Sequence, residues 1–399
     1  MTPAARLSAT ADILDTLDLA RPVEAQLKAW ARGNRYAGSK DRRAIADRVY
    51  AILRRWRSCA AQGSGETGRA RVLGSLAGDD GLSVGEIEAL CGGGYGLPSL
   101  SDAERETLSR EPDWSSEAER LDWPEWLREQ AVDAFGEDTP RELDALRRRA
   151  PVDLRVNTLK ATSEQAITAL REDGISDVQT LPPTALRLPP GAPVLRSRAW
   201  RDGLVELQDA GSQAVAAMTG ARSGETVLDA CAGGGGKTLA LAAAMEDTGR
   251  LLAADIDPAR MADLPQRAAR AGVTCIEILR RGALDSLGPV CDRVLVDAPC
   301  SGSGSWRRDP AGKWRLTPAM LAALTRMQDD ALDAAVRFVR PGGTLVYATC
   351  SVLRAENEDR MADFLARHPG FEQIKAKRLH PARDDCDGFF AARLTLTAR

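Results

Sequence analysis

From Thr226 onward the chain alternates short apolar runs with helical segments, and this alternation limits its possible folds more than any other feature. Residues 226–229, 251–255, 273–279, 293–297 and 344–349 read as strands. The clearest helix among them is predicted over 318–340, with Thr317 as N-cap, Pro318 at the first helical position and Gly342 past its end. Uninterrupted apolar strands need cover on both faces, so the expected fold is α/β, a parallel sheet between helices. In such sheets ligands bind at the carboxyl ends of the strands, where strand order reverses.

The preceding residues differ in texture. At 399 residues the chain has room for two or three domains. Its first hundred residues read as all-helical, with helices over 11–30 and 40–57. Ser39 is the predicted N-cap of the second, in which Ile45, Val49, Ile52 and Trp56 form one stripe for burial. Glycine-rich breaks at 63–68 and 91–96 predict a loose connection. A small α+β module follows: a helix over 126–135, a strand over 153–159, a helix over 163–173 and a proline-rich stretch up to Pro193. The expected division is 1–118, 119–200 and 201–399.

Several function classes are disfavoured. No stretch reaches the length of apolar residues a membrane span needs, and the first residues carry acids where a secretory leader would be apolar. A cytoplasmic protein is expected. The eight cysteines are scattered without a CxxC pair, and His368 and His380 are the sole histidines, so neither a disulfide framework nor a zinc site is expected. The net charge of −3 conceals segregation: residues 1–60 hold twelve Lys and Arg against six acids, whereas 79–138 hold four against seventeen. A local basic face is what phosphate binding requires, and Arg42, Arg43, Arg48, Arg54, Arg55 and Arg57 are its candidates. A solvated helix surface is the plain alternative.

Four segments bring chemistry to strand ends. The loop Asp229-Ala-Cys-Ala-Gly-Gly-Gly-Gly-Lys-Thr238 lets a ligand approach backbone amides at a helix start. It nearly matches a phosphate-binding GxxxxGK[ST] loop, with Cys231 where glycine is required, so a nucleoside triphosphatase stays open. Asp255 ends the second strand, 26 residues after Asp229, as a ribose-binding carboxylate would; Asp257 before Pro258 reads as a helix cap. The remaining segments, Asp297-Ala-Pro-Cys-Ser-Gly-Ser-Gly304 and Ala348-Thr-Cys-Ser351, each put a cysteine just beyond a strand among small residues.

The set DACAGGGGKT, DID, DAPCSGSG and YATCSV resembles the RsmB (Sun) family of RNA cytosine-C5 methyltransferases. Leu154-Arg-Val-Asn-Thr-Leu-Lys160, Leu207-Gln-Asp-Ala210, Arg307-Arg-Asp-Pro310, Lys313-Trp314 and Asp387-Gly-Phe-Phe390 are similar to further motifs of that family. The resemblance implies a Rossmann-like methyltransferase domain behind the α+β (RRM-like) module, and a NusB-like RNA-binding domain formed by the N-terminal helices. It implies S-adenosylmethionine as cofactor, held by Cys231, Ala232, Gly233, Gly234, Gly235, Gly236, Lys237, Asp255 and Asp297. It also implies Cys350 as nucleophile, Cys300 as the assistant in releasing the product, and Asp297 as a contact to the base. The partner would be ribosomal RNA, and the protein a monomer without metal. Two departures stand out: Gly233 and Gly234 replace Ala and Pro of the usual loop, and the acid expected near the adenine is displaced to Asp285. A catalytically dead RNA-binding protein is the remaining alternative, which the intact cysteine pair opposes.

Overall fold

Leu251 and Leu252, Val294 to Val296, and Leu345 to Ala348 are all buried, and neighbours along each strand join different apolar clusters. Because successive side chains on a strand point to opposite faces, this is a sheet covered on both sides. The computed structural model that shows this describes residues 1–280 and 282–397, apart from the side chains of Ala283 and Asp285. The chain divides into two units, Ala150–Ser305 with Thr317–Arg399, and Met1–Arg149 with Trp306–Leu316.

The first unit is α/β. Strands β1 (Val152–Val156), β2 (Gln179–Leu181), β3 (Ala185–Leu188) and β4 (Val205–Leu207) make an antiparallel sheet in the order β2-β3-β1-β4. The larger sheet comprises β5 (Thr226–Asp229), β6 (Arg250–Ala253), β7 (Ile276–Ile278), β8 (Cys291–Asp297), β9 (Val339–Thr349), β10 (Phe371–Leu379) and β11 (Phe389–Leu396). Its order is β10-β11-β9-β8-β5-β6-β7, with β5 to β9 parallel and the last two strands antiparallel. Strand order reverses between β5 and β8, and the glycine loop leaves β5 at that point.

Two boundaries differ from expectation. The helix predicted over 318–340 is Pro318–Val336, capped by Thr317 as expected, with its hydroxyl accepting from the Met320 amide. It stops early because Phe338 and Val339 are buried in the sheet's core, and the Phe338 carbonyl accepts from the Cys291 amide at 2.9 Å. Gly342 therefore lies inside β9 rather than beyond a helix end.

The second unit is helical. The helix predicted over 11–30 is two, Pro3–Thr16 and Val23–Gly33: the chain turns extended at Leu17, and Pro22 is the N-cap of the second helix. The next helix, Ser39–Arg54, buries Ile45, Val49 and Ile52 as the stripe requires. Ser39 is its first residue rather than its cap; the Gly38 amide instead donates to the Asp41 carboxylate at 3.1 Å. The glycine-rich break at 63–68 does not loosen the fold. Helices Trp56–Gln62 and Gly68–Gly78 pack so closely that a Cβ on Gly74 would lie 2.0 Å from the Cys59 carbonyl oxygen.

The strip Trp306–Leu316 completes this unit. Trp306 is fully buried with its ring 5.0 Å from that of Trp123, and Trp314 Nε1 donates to the Leu53 carbonyl at 2.7 Å. Arg54 Nε donates to the Arg307 carbonyl at 2.7 Å, and Lys313 Nζ to the Arg54 carbonyl at 3.1 Å. Arg54 thus holds the fold together and is not a phosphate contact. Most of the basic run is likewise engaged: Arg48 pairs with Asp80, Arg55 with Asp79, and Arg57 with Glu125 and the Trp123 carbonyl. The acidic stretch that looked segregated in sequence supplies these counterions. Arg42 and Arg43 of the run remain exposed, joined there by Arg32, Arg35 and Lys40. Among the described residues, no helix is long and apolar enough to cross a membrane.

Candidate active site

Four strands of the α/β unit deliver their ends to one edge. Beyond β5, the loop from Ala230 to Gly235 is tied to both flanking strands: the Ala230 amide donates to the Leu295 carbonyl and the Ala232 amide to the Ala254 carbonyl, each at 2.9 Å. Gly235 turns it into helix Gly236–Ala244 at φ +82°, and a Cβ there would sit 2.4 Å from Leu264. Only glycine fits that turn.

Asp255, beyond β6, has a fully buried carboxylate. One oxygen accepts from the Gly233 amide at 2.9 Å, with the Arg260 guanidinium 3.4 Å away, and the other from the Asp257 amide at 2.9 Å. This acid therefore shapes the glycine loop, and it also lines a cavity of about 430 Å³ shared with Ala230, Cys231, Ile256, Leu279 and Pro299. Asp257 caps the following turn through the Ala259 amide, as expected. The side chain of Asp285 lies outside the described residues.

Asp297 ends β8 and accepts from Lys237 Nζ at 2.7 Å. Burial would pull the Lys237 ammonium down, but Asp297 more than offsets it and the amine stays above the usual lysine range. Deeper in the edge, Asp229 accepts from the Thr238 hydroxyl at 2.7 Å, while its Oδ1 has no hydrogen-bond partner among the described residues. Burial pushes its carboxyl up to about 7.

Cys300 and Cys350 meet with their Sγ atoms 3.4 Å apart. The hydrogen bond to Cys350, burial and the charges of Cys350 and Glu356 all push the Cys300 thiol up. Cys350 is held below the usual thiol range, chiefly by accepting that hydrogen bond, with burial and Asp297 opposing and Lys237 and Ser305 assisting. Two thiols in contact, one made more acidic and the other less, is the arrangement a nucleophile with an adjacent proton carrier requires.

Known proteins share these features. Residues 216–395 match the profile described as 16S rRNA methyltransferase RsmB/F, and residues 123–195 match the ferredoxin-like domain of the same proteins. Ribosomal RNA small subunit methyltransferase B of Sodalis glossinidius is 33% identical over 305 residues, covering 73% of this chain and 70% of that one. Its counterpart in Salmonella typhi is 34% identical over 304 residues with the same coverage. The chain belongs to the RsmB/F family. Among solved structures, PH0851 superposes with a TM-score of 0.76 and 25% identity over 99% of both chains. NSun6 from Pyrococcus horikoshii with SFG shares the fold, at a TM-score of 0.63 and 22% identity over 69% of this chain and 99% of that one.

As an RsmB/F member the chain is a methyltransferase of the kind that uses S-adenosylmethionine, and its residues fit that cofactor. The cavity is of ligand size, the loop amides open onto a helix start, and the unpartnered Asp229 oxygen lies at the loop's base. The Lys237–Asp297 pair also separates this loop from a phosphate-binding one, where the lysine must be free for the phosphates.

Sequence reasoning missed Glu356. This fully buried carboxylate accepts from the Ser301 amide at 2.8 Å, the Ser301 hydroxyl at 2.5 Å, Gln328 Nε2 at 3.0 Å and the Ser351 hydroxyl. It lies in a polar stretch, Arg-Ala-Glu-Asn357, that looks like ordinary surface helix. The Asp387-Gly-Phe-Phe390 motif also reaches the edge, where the Gly388 amide donates to the Gly304 carbonyl and the Phe389 ring lies 5.6 Å from Lys237 Nζ.

Proposed function

We propose that the protein methylates carbon 5 of a cytosine in ribosomal RNA through a covalent cysteine adduct. Carbon 5 is too weak a nucleophile to take a methyl group from a sulfonium unaided, and addition of a thiolate at carbon 6 activates it. The cofactor supplies an electrophilic methyl group; Lys237, Asp255 and the loop from Cys231 to Gly236 hold it. Cys350 forms the bond to carbon 6 while Asp297 contacts the base and assists protonation at N3. Carbon 5 then carries both the methyl group and its original proton. Loss of that proton returns an electron pair to the ring, breaks the bond to carbon 6 and frees Cys350 as a thiolate.

Cys300 assists this last step. In the resting pair its proton is locked by the anion beside it. Alkylation of Cys350 removes both the anion and the hydrogen-bond acceptor, so the Cys300 thiol becomes more acidic, gives its proton to water and, as a thiolate, takes the proton from carbon 5. The observation that carries the proposal is this pair, 3.4 Å apart and pushed in opposite directions.

Denaturing gels of protein mixed with RNA and cofactor test it. Cys350→Ala should lose turnover and form no adduct, whereas Cys300→Ala should accumulate a slow protein–RNA band. The opposite pattern would exchange the two roles. We further propose that the helical unit is NusB-like and binds the RNA through its exposed cations, Arg32, Arg35, Lys40, Arg42 and Arg43.

A further inference from the structure

The two cysteine loops follow neighbouring strands paired through Asp297 and Ala348. Further on, the Gly304 amide donates to the Cys350 carbonyl, and the Ser303 and Ser351 hydroxyls share a hydrogen bond. Residues 299–301, around the Cys300 thiol, take an additional tie. Cys300 lies three residues beyond β8 and Cys350 one residue beyond β9. The residues immediately after them, Ser301 and Ser351, both donate hydroxyl hydrogen bonds to one carboxylate, that of Glu356. The Ser301 amide adds a third donor and Gln328 Nε2 a fourth, while Gln328 also donates to the Pro299 carbonyl at 2.9 Å. A carboxylate accepts about four hydrogen bonds, so Glu356 is saturated. All its donors are neutral; among the described residues it forms no ion pair.

We propose that Glu356 is a positioning residue for the thiol pair, clamping the loop after β8 to the loop after β9 so that the Cys300 thiol stays in hydrogen-bond reach of Cys350. The proposal rests on the methyltransferase reading above for its purpose, though not for its geometry. A buried carboxylate without a cation is costly to keep, and a neutral amide of equal size would serve packing alone. Glutamine is a weaker clamp: with its amide nitrogen toward the two serines, both hydroxyls must accept instead of donate, and the charge-assisted bonds to the carboxylate become neutral ones. The charge has a second effect, since it helps keep the proton on Cys300.

The test reads Cys350 directly and needs no RNA. Alkylation by iodoacetamide followed across pH reports the Cys350 thiolate, with the modified residue identified by peptide mass spectrometry. In Glu356→Gln the Cys300 thiol is held less firmly, which weakens the main bond stabilising the Cys350 thiolate. The alkylation midpoint should move up by about one pH unit, making the reaction at neutral pH about tenfold slower. Ser301→Ala with Ser351→Ala leaves the carboxylate but removes two of its ties, and should shift the midpoint in the same direction by a smaller amount. It keeps the proposal testable if Glu356→Gln does not fold. An unchanged midpoint in a folded variant that still binds S-adenosylhomocysteine would overturn the clamp. Failure of the methyltransferase reading looks different: the parent protein would form no RNA adduct, whatever the alkylation profile.

Discussion

Lys237, half-buried, and Lys313, fully buried, both lie in motifs shared with the RsmB/F family, and the two units of the protein treat them in opposite ways. At the sheet edge Lys237 meets Asp297 and keeps its charge. In the helical unit Lys313 donates to a backbone carbonyl and lies 4.7 Å from the Trp314 ring centroid, and burial pulls its amine down to about 7. One lysine is held charged where a ligand must be bound. The other serves as a hydrogen-bond donor beside the Trp314 indole. A lysine in a family motif therefore carries no role by itself; its nearest anion decides.

The largest expected effect comes from removing the charged member. Lys237→Met leaves Asp297 with an unbalanced, partly buried charge and strips a cation from beside Cys350. Turnover should fall at least a hundredfold and the dissociation constant for S-adenosylmethionine should rise about tenfold or more, a loss of roughly 1.5–3 kcal/mol. Calorimetry and single-turnover kinetics separate the two. An unchanged affinity would place Lys237 on the thiol side of the edge only.

Lys313→Met sharpens the contrast through pH. Because burial holds the Lys313 amine at about 7 against 10.5 for a free lysine, the folded chain binds fewer protons than the unfolded chain between those values. Stability must therefore rise with pH across that window, by up to about 1.4 kcal/mol per pH unit, and the Met variant should lose this slope. Seven of the eight tryptophans lie in the helical unit, so denaturation followed by indole fluorescence reports chiefly on it. Equal slopes in parent and variant would show that Lys313 stays charged.

The smallest effect separates structural from exposed arginines. Arg54→Gln should destabilise by about 1–3 kcal/mol, because it leaves the Arg307 carbonyl buried without its donor. Replacing Arg35, Lys40 and Arg42 by Gln should leave the denaturation midpoint within error. It should instead flatten the salt dependence of RNA binding by up to about three on a log–log plot. A destabilised triple variant, or an identical salt slope, would move the RNA-binding face elsewhere.

These outcomes bear on what the sequence could disclose. Both cysteines, Asp297, Asp255 and the glycine loop were legible because each follows a strand whose apolar run is easily seen, and parallel topology forces such ends together. Glu356 was not, since its partners come from residues five and fifty-five positions away and its own neighbours are polar. The basic helix misled for the same reason. Arg48, Arg55 and Arg57 lie on a face that looks unpaired until Asp79, Asp80 and Glu125 fold back onto it. Local breaks fared no better: residues 11–30 read as one helix although it stops at Thr16 and restarts after Pro22, and the end at Val336 depends on Phe338 and Val339 finding a sheet.

The strip Trp306–Leu316 has a consequence for inheritance. It is encoded between the two cysteine loops, yet its indoles and lysine complete the helical unit's interior. A gene fragment ending at Arg149 would therefore lack part of its own core, and a fragment beginning at Ala150 would carry Trp306 and Trp314 with no interior to enter. A recombination event at that junction yields two damaged halves. The helical unit can be moved whole only if two separate stretches of the gene travel together, one of them lying between the two thiol loops.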